Sequence, residues 1–187
     1  MAQEPVKQKE IGLIFSNLDN FGITYKTGTE KSLWRFNALF ISGYNMDNVA
    51  DSSANKQNSM GFGIKLGKEY RKVIVNNLEL RYGADISFDY SHLKTDYDDK
   101  TVDDYDRLNE RTTYSSGINL VLGLNYVLSK NLIIGVELLP DFSYTTGTSI
   151  EKHYYTNSAD SELKTDISGF SYGFSNTSAL LSVSYRF

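Results

Sequence analysis

Cysteine is absent from this 187-residue chain. That excludes disulfides, thiolate metal sites and a cysteine nucleophile. Proline occurs only twice. A chain made mostly of strands avoids it, because proline cannot donate to a ladder. No stretch reaches the roughly 18 to 20 consecutive apolar residues that a spanning helix needs. There is no basic run, and a net charge of −4 gives no electrostatic basis for a nucleic-acid partner. The opening Met1-Ala2-Gln3-Glu4-Pro5 lacks the basic and apolar regions of an export signal. It reads as a mature chain with an added initiator Met, whose precursor carried that signal.

Aromatic residues are abundant, with 14 Tyr and 10 Phe. The mean hydropathy of −0.38 resembles that of a soluble protein. Strands that alternate apolar and polar residues average out in the same way, so this value does not decide the matter. Alternation is in fact the dominant pattern. Leu78, Leu80, Tyr82, Ala84, Ile86, Phe88, Tyr90 and His92 share one parity, against Glu79, Arg81, Gly83, Asp85, Ser87, Asp89 and Ser91. A helix would mix these sets, whereas a strand separates them. The run is much longer than the usual globular strand of about five or six residues. It suits a tilted strand that crosses a bilayer and continues beyond it.

The same arithmetic applies around Ile11–Phe15, Phe21–Tyr25, Trp34–Ile41, Met60–Gly67, Ile118–Leu128 and Leu132–Leu139. Near the end, Phe170, Tyr172 and Phe174 occupy even positions, but Ala179, Leu181, Val183, Tyr185 and Phe187 occupy odd ones. Either a β-bulge lies within Ser175–Ser178, or the upper aromatics point inward. Linkers alternate in length. Those around Tyr44–Ser59, Lys94–Arg111 and Ile150–Asp166 are long, whereas Gly28–Lys31, Tyr70–Asn77 and Ser129–Asn131 are shorter. Short periplasmic turns and long extracellular loops are the pattern of outer-membrane barrels. The sequence therefore predicts an all-β fold: a closed, up-and-down, antiparallel transmembrane β-barrel of about eight strands, with both termini periplasmic. Residues 1–9 are expected to form a tail and residues 10–187 one barrel domain. The first hairpin is short, so one side of the barrel is expected to be low or its ends misplaced. A soluble β-barrel that binds a lipid-like ligand is the alternative, with polar residues outside.

An eight-stranded barrel is only wide enough inside for side chains. The inward parity collects Lys26, Arg35, Lys65, Glu79, Arg81, Asp85, Asp89, Glu137 and Arg186. Both signs are present, which predicts a charge-paired, occluded lumen, with inward glycines such as Gly61, Gly63, Gly67, Gly83, Gly123 and Gly135 leaving room. Trp34, Tyr44, Tyr82, Tyr90, Tyr126 and Tyr144 are candidates for interfacial girdles, with Tyr25 and Tyr185 beside them.

The chain ends Ala179-Leu180-Leu181-Ser182-Val183-Ser184-Tyr185-Arg186-Phe187. Leu181, Val183, Tyr185 and Phe187 resemble the C-terminal assembly signal of bacterial outer-membrane barrels. Across nearly its whole length the chain resembles the small eight-stranded porin-family barrels of the OmpX, OmpW and OmpA-barrel type, and those of Bacteroidota in particular. That resemblance implies residence in the outer membrane of a Gram-negative bacterium, contact with its lipids and lipopolysaccharide, and insertion by the barrel assembly machinery. It implies no particular activity.

Candidate chemistry is thin. Asp96, Asp98, Asp99, Asp103, Asp104 and Asp106 offer oxygen ligands for a divalent cation, but their spacing matches no EF-hand, and a solvated acidic loop is the simpler expectation. His153 with Ser158, Asp160 and Ser161 has the residue types of a nucleophile system without a surrounding motif. The sequence predicts no cofactor and no enzyme. The expected role is structural, or that of a binding or accessory subunit that uses its loops and outer wall, with other outer-membrane proteins among the expected partners. A narrow channel for small or apolar solutes is the alternative, and a lipid-modifying enzyme the third.

Overall fold

The structure, a computed structural model, describes residues 7–16, 21–49, 53–99, 105–155, 159–174 and 178–187, and among them all side chains except those of 39–42, 99 and 105. The opening pentapeptide, Asp103, Asp104, Ser158 and most of the expected bulge segment Ser175–Ser178 lie outside the described residues.

Ten strands form one antiparallel sheet among these residues: β1 (Lys7–Phe15), β2 (Phe21–Thr29), β3 (Ser32–Val49), β4 (Ser53–Val75), β5 (Leu78–Asp99), β6 (Tyr105–Val127), β7 (Leu132–Leu138), β8 (Asp141–Tyr155), β9 (Ser161–Gly173) and β10 (Ala179–Arg186). The order is β5-β4-β3-β2-β1-β10-β7-β6-β8-β9, and β5 also pairs with β6, which closes the ring. β7 and β8 pair successive stretches of β6 in one unbroken register, so they are two halves of one stave. β9 and β10 are halves of another, since they pair β8 and β7 in turn. The ten strands thus make eight staves.

Pro140 divides the first split stave. It has no N–H to donate, so the ladder breaks at it. Its carbonyl still accepts from the Leu120 amide at 2.9 Å, and the neighbouring Leu139 amide donates to the Ser178 carbonyl at 2.6 Å. Opposite this break, Gly173 pairs with Asp141, whereas Ala179 pairs with Leu138. More residues therefore lie between the paired positions on β9–β10 than on β7–β8. The difference is odd, which reverses parity. Phe170 lies opposite Tyr144 and packs on it, so the upper aromatics face outward and do not point inward.

Several boundaries correct the sequence-based expectations. β1 begins at Lys7, inside the expected tail, because Gln8 and Glu10 continue the buried parity. β4 runs to Val75, and the turn is only Asn76-Asn77, with Asn77 in the left-handed region at φ 69°. Asparagine tolerates that conformation better than most residues. At the other end, β3, β4, β5, β6, β8 and β9 continue far into the segments expected to be loops. Their polar side chains do not prevent this, since the backbone ladder makes the same bonds whatever faces solvent. Outside the register of the others, β3 slips by one residue between Leu39 and Ser42. Tyr44 then lies opposite Ser59, on the face away from Met60, and not in the outer girdle.

The outer surface is apolar. Ile64, Ile86, Ile118, Leu120, Leu122 and Val136 all project outward, while their strand neighbours Lys65, Asp85, Asn119, Val121 and Glu137 are buried inside. Outward aromatics gather at two levels, with Tyr70 stacked on Tyr82 and Lys68 over Trp34 toward the short turns, and Tyr90 packed between Phe62 and Tyr114 toward the tall end. Pairing lines climb round the ring. The line through Tyr185, Ile11, Tyr25, Phe36, Leu66, Ile86, Ile118 and Phe142 returns to its starting stave at Tyr172, nearer the tall end. The staves are therefore tilted, as closure requires.

Leu120 is 60% exposed on the apolar wall. Leu120→Arg is expected to destabilise the barrel by about 2–4 kcal/mol in guanidinium unfolding from lipid vesicles, and Ser168→Arg, above the belt, by about 0–1 kcal/mol. Equal unfolding of Leu120→Arg and the unsubstituted protein would show that this wall does not face lipid.

Candidate functional site

Inside the ring, alternation turns every second side chain toward a common axis, and the charges meet there. Arg35 is the hub. It donates to both oxygens of Glu137 at 2.9 Å, contacts Glu69 at 3.2 Å and approaches Asp85 at 3.2 Å. Glu69 also takes Lys26 at 2.8 Å and Arg71 at 2.7 Å. Arg71 reaches on to Glu10 at 2.6 Å. Arg186, from the last strand, binds Glu10 at 2.9 Å and Glu79 at 3.1 Å. Arg81 meets Glu137 at 3.2 Å. Lys26, Arg35, Arg71, Arg81 and Arg186 thus balance Glu10, Glu69, Glu79, Asp85 and Glu137, five charges against five. Separation from water makes an isolated charge costly, and this mutual pairing offsets the cost.

The inward glycines give these groups their space. A Cβ on Gly123 would lie 2.8 Å from Arg81 Nε, and one on Gly135 would lie 2.7 Å from Asn125 Oδ1. An apolar layer of Ile14, Val121, Leu139 and Leu180 packs inside the ring beside the ionic one.

Of the expected lumen set, Lys26, Arg35, Glu79, Arg81, Asp85, Glu137 and Arg186 lie in this plug, and Lys65 and Asp89 stand above it. Glu10, Glu69 and Arg71 belong to the plug and are absent from that expected set. Glu10 precedes the first alternating run, Glu69 borders the expected turn Tyr70–Asn77 and Arg71 lies within it, although Glu69 and Arg71 share the parity of Lys65 and Gly67 once β4 is extended.

Above the plug lies a cavity of about 470 Å³. Its wall combines apolar surface from Phe21, Phe62, Leu139 and Leu180 with a band of hydroxyls, Ser87, Ser91, Ser115, Ser143, Thr145 and Ser171, from neighbouring strands. Ser115 and Thr145 are hydrogen-bonded at 2.6 Å, and Ser143 and Ser171 at 2.7 Å. At its floor the Lys65 ammonium donates to Asn119 Oδ1 at 3.4 Å. The Asn119 Nδ2 group is buried without a hydrogen-bond partner among the described residues. Asp89 and Asp141 complete the polar lining.

Among the described residues this vestibule has an incomplete wall. β1 ends at Phe15 and β2 begins at Phe21, while their neighbours on either side rise much higher. Among the described residues, β9 pairs only with β8, and β3 beyond Ser42 pairs only with β4. The expectation of a low side is met here as a seam. Ser16, Phe21, Ser178 and Leu180 stand at its base and line the cavity. The register line through Gly22, Leu39, Gly63, Asp89 and Ser115 crosses four strand spacings. At a spacing of about 4.8 Å and a tilt of about 40°, Gly22 stands about 12 Å lower than Ser115. The seam therefore cuts down into the apolar belt, below Tyr114.

On the inner face of the tall wall, Arg107 binds Glu151 at 2.6 Å and His153 binds the same carboxylate at 3.0 Å, with the His153 ring stacked on Tyr155. Ser161 pairs with His153 in the register, and Asp160 accepts from the Tyr155 amide at 3.4 Å. Asp96 and Asp98 lie on β5, and Asp98 pairs with Asp106 on β6. Among the described residues no group of three or more acidic or histidine side chains is placed to hold a metal ion. Trp34, Tyr82, Tyr126 and Tyr144 project outward, and Tyr90 packs on Phe62 and Tyr114. Leu181, Val183, Tyr185 and Phe187 project from the same side of the last stave.

Arg35→Met should leave Glu69, Asp85 and Glu137 facing one another. The expected loss is about 3–5 kcal/mol of unfolding stability in lipid vesicles. Adding Glu137→Gln should recover part of it, and a double variant no better than the single one would contradict the pairing.

No curated protein matches the chain. Among solved structures it is similar to a major outer membrane protein of Thermus thermophilus, at 10% identity and TM-score 0.48, over 97% of this chain and 100% of that one. It is also similar to the N-terminal β-barrel domain of Pseudomonas aeruginosa OprF, at 13% identity and TM-score 0.39, over 99% and 98% of the two chains. Acinetobacter baumannii CarO matches at 11% identity and TM-score 0.40, over 98% and 97%. A family model covers residues 21–173, most of the ring. The chain therefore belongs to the OmpA-OmpF-like porin family, β-barrels of the bacterial outer membrane.

Proposed function

We propose that this protein is a non-conducting, non-enzymatic barrel that serves as a binding or accessory subunit of the outer membrane. Its short turns and both termini face the periplasm, and its tall wall faces outward. The observation that supports this role most directly is the balanced ionic plug, which fills the ring between the short turns and the vestibule. A filled lumen leaves only the outer wall and the tall strands to engage anything. The tall strands present mixed charges, including Lys152 beside Glu162 at 3.0 Å. Among the described residues they also present two edges without a strand partner, and exposed strand edges are sites for pairing with another chain.

The partners proposed are outer-membrane lipid and lipopolysaccharide at the wall, another outer-membrane protein at the tall strands, and the barrel assembly machinery during insertion. For insertion, the last strand with Leu181, Val183, Tyr185 and Phe187 would be presented to an exposed sheet edge.

Two measurements test the role. In planar bilayers the purified barrel should show no stepwise openings over long recordings; regular openings would favour the channel. Co-purification from native membranes in mild detergent should recover a partner, and Lys164→Pro on the β9 edge, where the amide points away from β8, should reduce that recovery while the barrel stays folded. Proline removes a backbone donor and so spoils edge pairing. Undiminished recovery would count against the tall strands as the contact.

A further inference from the structure

The geometry points to a binding site for one membrane amphiphile with a polyhydroxyl head, seated head-first in the vestibule with its tail leaving through the seam. This goes beyond the accessory role proposed above and stands or falls separately from it.

Three observations converge. The first is the chemistry of the cavity. Its wall mixes hydroxyls with Asp89 and Asp141 as acceptors and with Lys65 and Asn119 as donors. A sugar or glycerol hydroxyl both donates and accepts, so a polyol matches such a wall. A simple anion would face Asp89 and Asp141, and a simple cation would face Lys65. The Asn119 Nδ2 group, buried at the floor of this cavity without a partner among the described residues, wants an acceptor oxygen.

The second is continuity with an apolar surface. A groove of about 990 Å³ runs down the outer wall along Leu122, Val136, Leu138 and Leu181. It shares Ser16 and Leu180 with the vestibule, so polar cavity and apolar groove meet at the base of the seam. An amphiphile bent over Ser16 and Leu180 would place its head in the first and its tail in the second.

The third is the seam itself. Its base lies below Tyr114 within the apolar belt, and the edges of β9 and of β3 beyond Ser42 have no strand partner there among the described residues. Backbone polar groups facing hydrocarbon are costly unless satisfied. A hydroxylated head beside these edges supplies hydrogen-bonding partners that a bare acyl chain lacks. The surrounding membrane provides such molecules at high local concentration.

The test uses the full chain, ¹⁵N-labelled, in dodecylphosphocholine micelles. Dodecyl maltoside is the probe, and free maltose separates a head group alone from an amphiphile with the same head. Dodecyl maltoside should shift the Asn119 side-chain amide and the Gly61 and Gly63 backbone amides, and the shifts should saturate. Maltose should leave them unmoved at the same concentration. Ser171→Phe, which fills the cavity, should abolish the response. Asn119→Leu should weaken it by about tenfold, read at Gly61 and Gly63. Each variant is scored once its barrel retains heat-modifiable gel mobility. If Ser171→Phe does not fold, Ser143→Val replaces it and should weaken the response. Shifts that never saturate, an equal response to maltose, or an unaltered response in the cavity variants would overturn the site. So would a dimer that closes the seam without any maltoside response.

Discussion

Closure of the backbone ladder is the constraint from which this structure follows. Inside a bilayer no water is available to satisfy an amide or a carbonyl, so a sheet must pair with itself. Here β5 meets β6 and β1 meets β10, and the ring has no free edge through its lower half. Once the ring is closed, alternation has only two destinations. One parity meets lipid and is apolar, and the other is shut inside. Eight staves leave an interior only wide enough for side chains. The enclosed parity must therefore neutralise itself, and Arg35, with Glu69, Asp85 and Glu137 around it, is the centre at which it does so.

The closing strand is tied into that centre. Arg186 lies one residue from the end of the chain, yet it reaches Glu10 on the first strand and Glu79 across the lumen. The contact that completes the ladder and the contact that completes the ionic network thus involve the same two strands. Among the described residues, the same short first hairpin that permits this meeting leaves the wall incomplete above it. Closure below and a seam above are consequences of one length, the nine residues of β1 and of β2.

Much of this was legible in the residues. The run from Leu78 to His92 gave both the strand and its two faces, and alternating linker lengths gave the number of staves. Parity alone placed Arg35, Arg81, Asp85 and Glu137 inside. What escaped has identifiable physical causes. Glu69 and Arg71 sit in a strand end whose Lys and Tyr residues look like a turn. Glu10 opens the expected barrel domain but precedes its first alternating run, Ile11–Phe15. The slip between Leu39 and Ser42 turned Tyr44 to the opposite face, and it lies among glycines, Gly43 beside it and Gly61 and Gly63 opposite, the latter two assigned by the alternating pattern to lumen packing. The tall strands looked like loops because solvent on both faces removes the alternation that reveals a strand. The seam and its vestibule depend on which strands fail to pair, a property of the register that no single segment encodes.

Accessibility along β6 tests the central claim most directly. Because the chain contains no cysteine, single Cys substitutions from Ile118 to Leu124 carry one spin label each without competing thiols. In lipid vesicles, labels at 118, 120, 122 and 124 should be relaxed strongly by dissolved oxygen, and labels at 119, 121 and 123 should not. A flat profile, or one in which the odd positions meet the lipid, would contradict the enclosure of the charged face.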